Sequence, residues 1–332
     1  MEFNLTRKFI ARREMLRGAA ALTGGVLAAQ FYPVRLVQAA PPGIPPQSSA
    51  NYPVAASRAR FAAIAIQSQP LAENLTMLSG PGGNVVVLNG VDGKLIGDTF
   101  VMPAWPHLKD ALDAIGKAPV EIAVDTHWHF DHSDNNAALR AAGATVVAHE
   151  NTKKRMSETH IMPVINMTIP PSPAAALPQQ TFRQSHKIAM NGENVSLAYI
   201  PPAHTDSDIY IHFEKANVLQ AGDVYFSGTY PYIDSGTGGS VSGTIAGLTK
   251  ILAVADNDTK IVPGHGPLGN KRDVMKFREM LSTVRERLQK LKTAGKSVEE
   301  AVAAKPLADL DAAWGKGLND SDTFVKIAYP AL

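Results

Sequence analysis

No cysteine occurs anywhere in the 332 residues. Disulfide staples, thiolate metal ligands and cysteine nucleophiles are thereby excluded, and the absence suits an oxidising compartment without requiring one. Tandem repeats of about 20–50 residues and low-complexity tracts are missing as well. So is any long basic run. The formal charge of +2 is concentrated at one end: residues 1–40 hold six Lys/Arg and two Glu, a surplus of +4, leaving −2 on the remainder. A mildly acidic body gives no support for a nucleic-acid partner. Apolar residues, by contrast, make up 45% of the chain, ample for a core in one large domain or two small ones.

The basic end carries its own message. Ala11-Arg12-Arg13-Glu14-Met15-Leu16-Arg17 sets an arginine pair before a modest apolar segment, Gly18 to about Leu36. Small residues at Val37-Gln38-Ala39-Ala40 place an expected cleavage point after Ala39 or Ala40. Residues 1–40 therefore resemble a twin-arginine export signal, which implies the export machinery as a partner and the periplasm as destination. The alternative, an uncut anchor, is disfavoured because Pro33 and Arg35 interrupt a segment too weakly apolar to span comfortably over about 20 residues. Residues 41–60, opening on Pro41-Pro42-Gly43-Ile44-Pro45-Pro46, read as a linker.

The chemistry is concentrated in Thr126-His127-Trp128-His129-Phe130-Asp131-His132, which follows the strand-like run Val120–Asp125. Three imidazoles and a carboxylate at a strand end serve no packing purpose. Side chains alternate along an extended segment, so His127 and His129 face one side and can grip one metal. Asp131 and His132 fall where the chain turns into the next helix and can face a second ion. Nitrogen and oxygen donors in this mixture suit zinc and similar divalent ions. Further candidate ligands follow three β-prone runs: His204 after Val195–Ile200, Asp223 after Ala216–Gln220, and His265 after Lys260–Val262. Each lies near Gly or Pro in the loop at a strand's end, where catalytic groups usually sit.

The ordered set His127, His129, Asp131, His132, His204, Asp223 and His265 resembles the metallo-β-lactamase superfamily of metal-dependent hydrolases, over residues of about 70 to 270. The resemblance implies an α+β fold, a four-layer αβ/βα sandwich with two mixed β-sheets face to face and helices outside. It also implies two Zn2+ ions, other divalent metals being possible. His127, His129 and His204 would hold one, Asp131, His132 and His265 the other, with Asp223 bridging. An aspartate at 223, where the commonest clinical β-lactamases of this superfamily place a cysteine, resembles the branches that cleave thioesters, lactones and phosphodiesters. His129 favours hydrolysis, since the oxygen-reducing di-iron relatives usually carry Glu there.

A metal-bound water whose pKa falls from about 15.7 to roughly 7 would then be the nucleophile. Asp131 is placed to orient it, and Tyr225 is a candidate donor to a developing oxyanion or, equally, a packed tyrosine. Asp125 and Asp206 are candidate acceptors for the ligating imidazoles, or else a helix cap or solvated loop acid. Trp105, Phe130 and Tyr230 are candidate pocket walls, while His149, His160, His186 and His212 fall outside the ligand set. The loop Asp234–Ser240 suggests a phosphate cradle but lacks its Lys, so a flexible loop beside the metals is expected instead. No substrate class is matched completely: Phe226 stands where lysine or tyrosine marks the lactamases and quorum-sensing lactonases. Export leaves small cyclic amides, lactones and esters as substrates, with β-lactamase activity among them. The alternatives are a mononuclear iron oxidoreductase of the persulfide dioxygenase type and a non-catalytic periplasmic metal-binding accessory protein.

Hydrophobic patterning predicts strands at Leu75–Leu78, Val85–Leu88, Lys94–Asp98 and Thr145–Ala148. It predicts helices at His107–Ile115, Asn135–Ala142, from about Asn151, at Thr244–Ala255 and from Lys271 to about Ala294. The proline-rich stretch from Ile169 through Pro178 is expected near the site mouth or as a surface connection. Residues 61–295 are expected to form the hydrolase domain and 296–332 a helical extension.

Overall fold

A computed structural model describes residues 54–332, so the export signal expected at 1–40 and most of the linker at 41–60 lie outside the described residues. The linker does not reach residue 60. Helix α1 (Val54–Ala62) has formed there, with Phe61 packed 6.3 Å from the Phe130 ring and Arg58 paired with Asp134.

The first sheet begins as an antiparallel meander of β1 (Gln67–Ala72), β2 (Leu75–Ser79), β3 (Val85–Gly90) and β4 (Gly93–Gly97). Helix α2 (Trp105–Ile115) then carries the chain to β5 (Val120–Val124), parallel to β4. Such a crossover is what a parallel neighbour requires. Two short helices, α3 (Phe130–Ser133) and α4 (Asn136–Ala141), lead to β6 (Thr145–His149), again parallel. After α5 (Glu150–Met156) come a separate hairpin, β7 (His160–Met162) with β8 (Met167–Ile169), and β9 (Gln180–Phe182), which completes seven strands beside β6. The proline-rich stretch packs on α4, where Asn136 Nδ2 donates to Ala176 O.

The second sheet runs through β10 (Ser185–Met190), β11 (Glu193–Tyr199), β12 (Ile209–Phe213) and β13 (Val218–Gln220), all antiparallel neighbours. Helix α6 (Val241–Val254) crosses over to β14 (Lys260–Val262), parallel to β13, and β15 (Gly269–Asn270) ends the sheet. The amphipathic α7 (Lys271–Thr293) buries Val274, Phe277, Leu281, Val284 and Leu288 on one stripe, with Asn270 capping its first amides. Three helices follow: α8 (Val298–Ala303), α9 (Asp311–Trp314) and α10 (Ser321–Ala328).

Strand alternation sorts the core into layers. Val86, Leu88, Leu95, Val124 and Val147 of the first sheet meet Val195, Leu197, Ile211, Val218 and Val262 of the second. Their neighbours Val87, Ile96, Ala123 and Val146 point the other way, toward Leu108 and Leu112 of α2. Leu219 and Ile261 face outward onto Leu248, Phe277 and Leu281. The result is the expected mixed α+β sandwich of four layers. Residues 296–332 are helical, and their Ala301, Leu307, Phe324 and Ile327 share the core with α6 and α7.

Candidate metal centre

Strand direction brings the candidate ligands to one end of the sandwich. β5 delivers the 126–132 segment. In the second sheet β11, β13 and β14 point the same way, so the loops bearing His204, Asp223 and His265 all leave the same edge. His129 is still extended (φ −62°, ψ 146°) and Asp131 and His132 lie on α3, the turn from strand into helix that splits the motif into two pairs. Cross-sheet bonds pin the rim: Ile209 N donates to Thr126 O at 2.9 Å and Asn84 N to Gly264 O at 2.7 Å.

All seven side chains converge. His127, His129, His204 and Asp223 form one buried set, and Asp131, His132 and His265 form a second. Asp223 faces both. Its Oδ2 is 3.4 Å from His204 Nε2 and 3.9 Å from His127 Nε2, while its Oδ1 is 3.1 Å from His132 Nε2 and 3.5 Å from His265 Nε2. Asp131 Oδ2 lies 3.2 Å from His265 Nε2 and 3.7 Å from His132 Nε2.

The outward nitrogens are already engaged, which fixes what the inward ones present. His129 Nε2 meets Asp234 Oδ2 at 3.2 Å, and His204 Nδ1 meets Tyr232 O at 2.8 Å. His132 Nδ1 meets Asp98 Oδ2 at 2.9 Å, and His127 Nδ1 meets Thr126 Oγ1 at 3.1 Å. With those nitrogens donating, each neutral imidazole turns a lone pair inward. In the second set His132 Nε2 and His265 Nε2 lie 3.3 Å apart beside the Asp223 and Asp131 carboxylates, whereas in the first set His129 Nδ1 and His204 Nε2 face each other at 2.9 Å with both lone pairs inward. Facing lone pairs repel unless a cation lies between them. His127 Nε2 and Asp223 Oδ1 are moreover buried without a hydrogen-bond partner. The donor set therefore fits divalent cations.

Electrostatics separate the two sets. Burial pushes His127 well down, with the charge of His132 adding to it, and takes His204 to about 4. Burial also opposes charging His132 and His265, but Asp223 and Asp131 override it and lift both, His265 to about 9. Burial disfavours the carboxylate form of Asp223 and Asp131 too, yet the surrounding imidazoles, His132 foremost, hold both below the ordinary range. Space is equally tailored: a Cβ on Gly83 would overlap the His132 ring, and one on Gly264 would overlap Asp223 Oδ1.

A family model described as the metallo-beta-lactamase superfamily matches residues 78–265. The chain belongs to the metallo-β-lactamase superfamily. Its fold neighbours agree. A metallo-β-lactamase from Pontibacter korlensis superimposes with a TM-score of 0.55 at 16% identity, covering 65% of this chain and 99% of that one. The DIM-1 metallo-β-lactamase gives 0.54 at 16% identity over 67% and 99% of the two chains. The BLEG-1 B3 metallo-β-lactamase gives 0.52 at 21% identity over 65% and 99%. No curated protein sequence matches the chain.

Within this metallo-β-lactamase fold several expected roles move to other residues. The carboxylate acceptors of the ligand imidazoles are Asp98 and Asp234, not Asp125 or Asp206. Asp125 accepts from Asn136 Nδ2 at 2.8 Å, and Asp206 pairs with Arg155 at 2.7 Å. Asp98 adopts φ 65°, a left-handed conformation rare for a residue with a side chain, at the point where its carboxylate meets His132. The loop 234–240 is no loose cradle. Asp234 accepts from Gly236 N and Thr237 Oγ1 while holding His129.

Tyr225 is fully buried against Phe277, ring centroids 5.5 Å apart, with its hydroxyl beside Gly269, so it packs rather than serving an oxyanion. Tyr230 likewise stacks on Phe324 at 4.8 Å, and Trp105 packs among the α2 core residues rather than lining a pocket. The aromatic rings that do adjoin the imidazoles are Trp128, Phe226 and Tyr232. Trp128 lies 4.6 Å from His129, Phe226 stacks 5.2 Å from His265, and Tyr232 is 6.1 and 6.3 Å from His129 and His204. Spacing alone carries no signal for Asp98, Asp234 or Tyr232, since only the fold brings them to the motif. Phe130 is buried beside the motif against Phe61 and Arg58.

Proposed function

We propose that this metallo-β-lactamase superfamily member is an exported, periplasmic dinuclear zinc hydrolase that opens a small cyclic amide, lactone or ester, β-lactams included. The observation that carries the reading is the division of seven side chains, six buried and His265 half-buried, into two sets with Asp223 facing both. Each set offers the three to four nitrogen and oxygen donors a zinc ion takes, with His127, His129 and His204 in one and Asp131, His132 and His265 in the other. A divalent metal pair supplies Lewis acidity and brings the pKa of water from about 15.7 to roughly 7.

The chain's own residues do the rest. Asp131, held ionised beside His132 and His265, accepts a hydrogen bond from the attacking water and aims it. Asp98, Asp234, Thr126 and the Tyr232 carbonyl keep four imidazoles in one tautomer and orientation, so no reorganisation is needed during reaction. The rings of Trp128, Phe226 and Tyr232 give the imidazoles apolar flanks that exclude bulk water. Phe226 in place of a basic residue favours substrates held by shape over those held by a carboxylate. A mononuclear iron oxidoreductase would leave Asp131, His132 or His265 idle as a ligand, and their convergence supports the dinuclear reading. The arginine pair at Arg12-Arg13 and the small residues ending at Ala40 support export.

The test is a hydrolysis panel of nitrocefin, simple lactones and aryl esters on zinc-loaded enzyme. We expect turnover of at least one, and a loss of about 100-fold or more in kcat for Asp131→Ala, within the usual range for a positioned acid–base group. Full zinc occupancy with no turnover on any of them would instead point to an accessory metal-binding protein.

A further inference from the structure

Near the metal edge the apolar layer between the two sheets holds a buried amide. Gln220, the last residue of β13, is fully buried there and reaches from the second sheet into the first. Its Nε2, with two hydrogens to give, lies within hydrogen-bonding distance of three acceptors: Asn84 O at 3.0 Å, Gly97 O at 3.2 Å and Asp98 Oδ2 at 3.2 Å. Three acceptors around one amide atom fix which end is nitrogen. Its Oε1 faces Gly97, has no hydrogen-bond partner, and would collide with a side chain at that position. A buried, unsatisfied amide oxygen is costly, and the two amide hydrogens, shared among three acceptors, offset part of that cost.

Both outer acceptors lead to the same half of the centre. Asp98 Oδ2, the oxygen that Gln220 touches, also receives His132 Nδ1 and Thr126 Oγ1, each at 2.9 Å. Asn84, whose carbonyl Gln220 holds, sends its own Nδ2 to Pro263 O and Gly266 O, both at 2.9 Å, clamping the loop that bears His265. In the other half His204 and His129 are tied to a different element, the 232–237 segment, through Tyr232 O and Asp234, while His127 is held by Thr126 Oγ1.

We propose that Gln220 is a positioning residue for the Asp131, His132 and His265 half of the centre, acting on His132 through Asp98 and on His265 through Asn84. It rests on the dinuclear reading above. The two halves meet only at Thr126, which bonds Asp98 and reaches His127, so loss of Gln220 should fall first on His132 and His265.

Gln220→Met keeps length and volume but removes the donor; Gly97→Ala displaces the Gln220 amide by crowding alone. Each variant and the wild-type chain would be loaded with zinc alone. Two readouts follow: stepwise affinities by chelator competition, and site-resolved occupancy by anomalous diffraction at the zinc edge. We expect both variants to keep the ion at His127, His129 and His204, and to lose affinity at the other set by about 10-fold or more, as removal of an outer hydrogen-bond partner typically does. A packing role for Gln220 would lower both affinities together. Two ions bound with unchanged affinities, or an equal loss at both sets, in whichever variant is soluble, overturns the inference. Wild-type protein that takes up fewer than two ions overturns the dinuclear reading itself, and this inference with it.

Discussion

Gly264 shows how tightly single residues are fitted to the centre. It precedes His265 and lies against the Asp223 carboxylate, where a methyl group would overlap Oδ1. Gly264→Ala is expected to displace the shared carboxylate and lower zinc content below two per chain, with the far-UV circular dichroism spectrum unchanged. Normal metal content in that variant would show that Asp223 has slack the geometry denies. At this scale the sequence was legible where chemistry is local. Thr126–His132 announces itself by spacing, and His204, Asp223 and His265 stand out at strand ends. Asp98 and Asp234 do not, because their partners lie 34 and 105 residues away and meet them only through the fold. Tyr225 misled for the complementary reason: proximity to Asp223 in sequence says nothing about which side of the sheet its ring takes.

Elements with strong periodicity were read well from sequence, and the buried strands β3 and β4 and the amphipathic α7 fall within a few residues of expectation. Most of those that escaped notice were exposed or short, although the buried five-residue β12 was missed as well. β1 is Gln-, Ser- and Pro-containing with its first four residues exposed, an edge strand whose polar sequence gives no alternation to read. The stripe on α7 makes a stability prediction. Leu288→Ala removes a fully buried side chain, and should cost about 2–5 kcal/mol in urea unfolding; a cost near zero would contradict the packing of α7 on the second sheet.

The turn from α6 into β14 makes another. Asp256 accepts from Asn217 Nδ2, Thr259 Oγ1 and Asp258 N, and these bonds, Asn217 first, bring its carboxyl down to about 2. A depressed carboxylate contributes stability that is full above its unfolded pKa, about 3.9, and lost as pH falls through 2. Asp256→Ala should therefore lower Tm at pH 7, and the gap from wild type should shrink between pH 4 and 2. A gap that is constant over that range would remove the carboxylate from the account.

For the molecule as a whole, the family and the layered architecture were accessible from the motif, whereas the contacts of the chain's two ends with the core were not. α1 occupies part of the expected linker and residues 296–332 complete the core, because contacts that join distant segments leave no local mark. A centre built from both sheets also implies that metal binding stabilises the entire sandwich. Chelation should lower Tm, by an amount matching about 2.7 kcal/mol of lost stability for each ion previously held at 100 times its Kd. An unchanged Tm would mean that the ligand set binds no metal in solution.

The most direct measurement is metal content of the protein purified without added metal, taken together with its reaction. The account requires two zinc ions per chain and hydrolysis that disappears on chelation and returns with zinc. One iron per chain, with oxygen consumed on a persulfide, would contradict it.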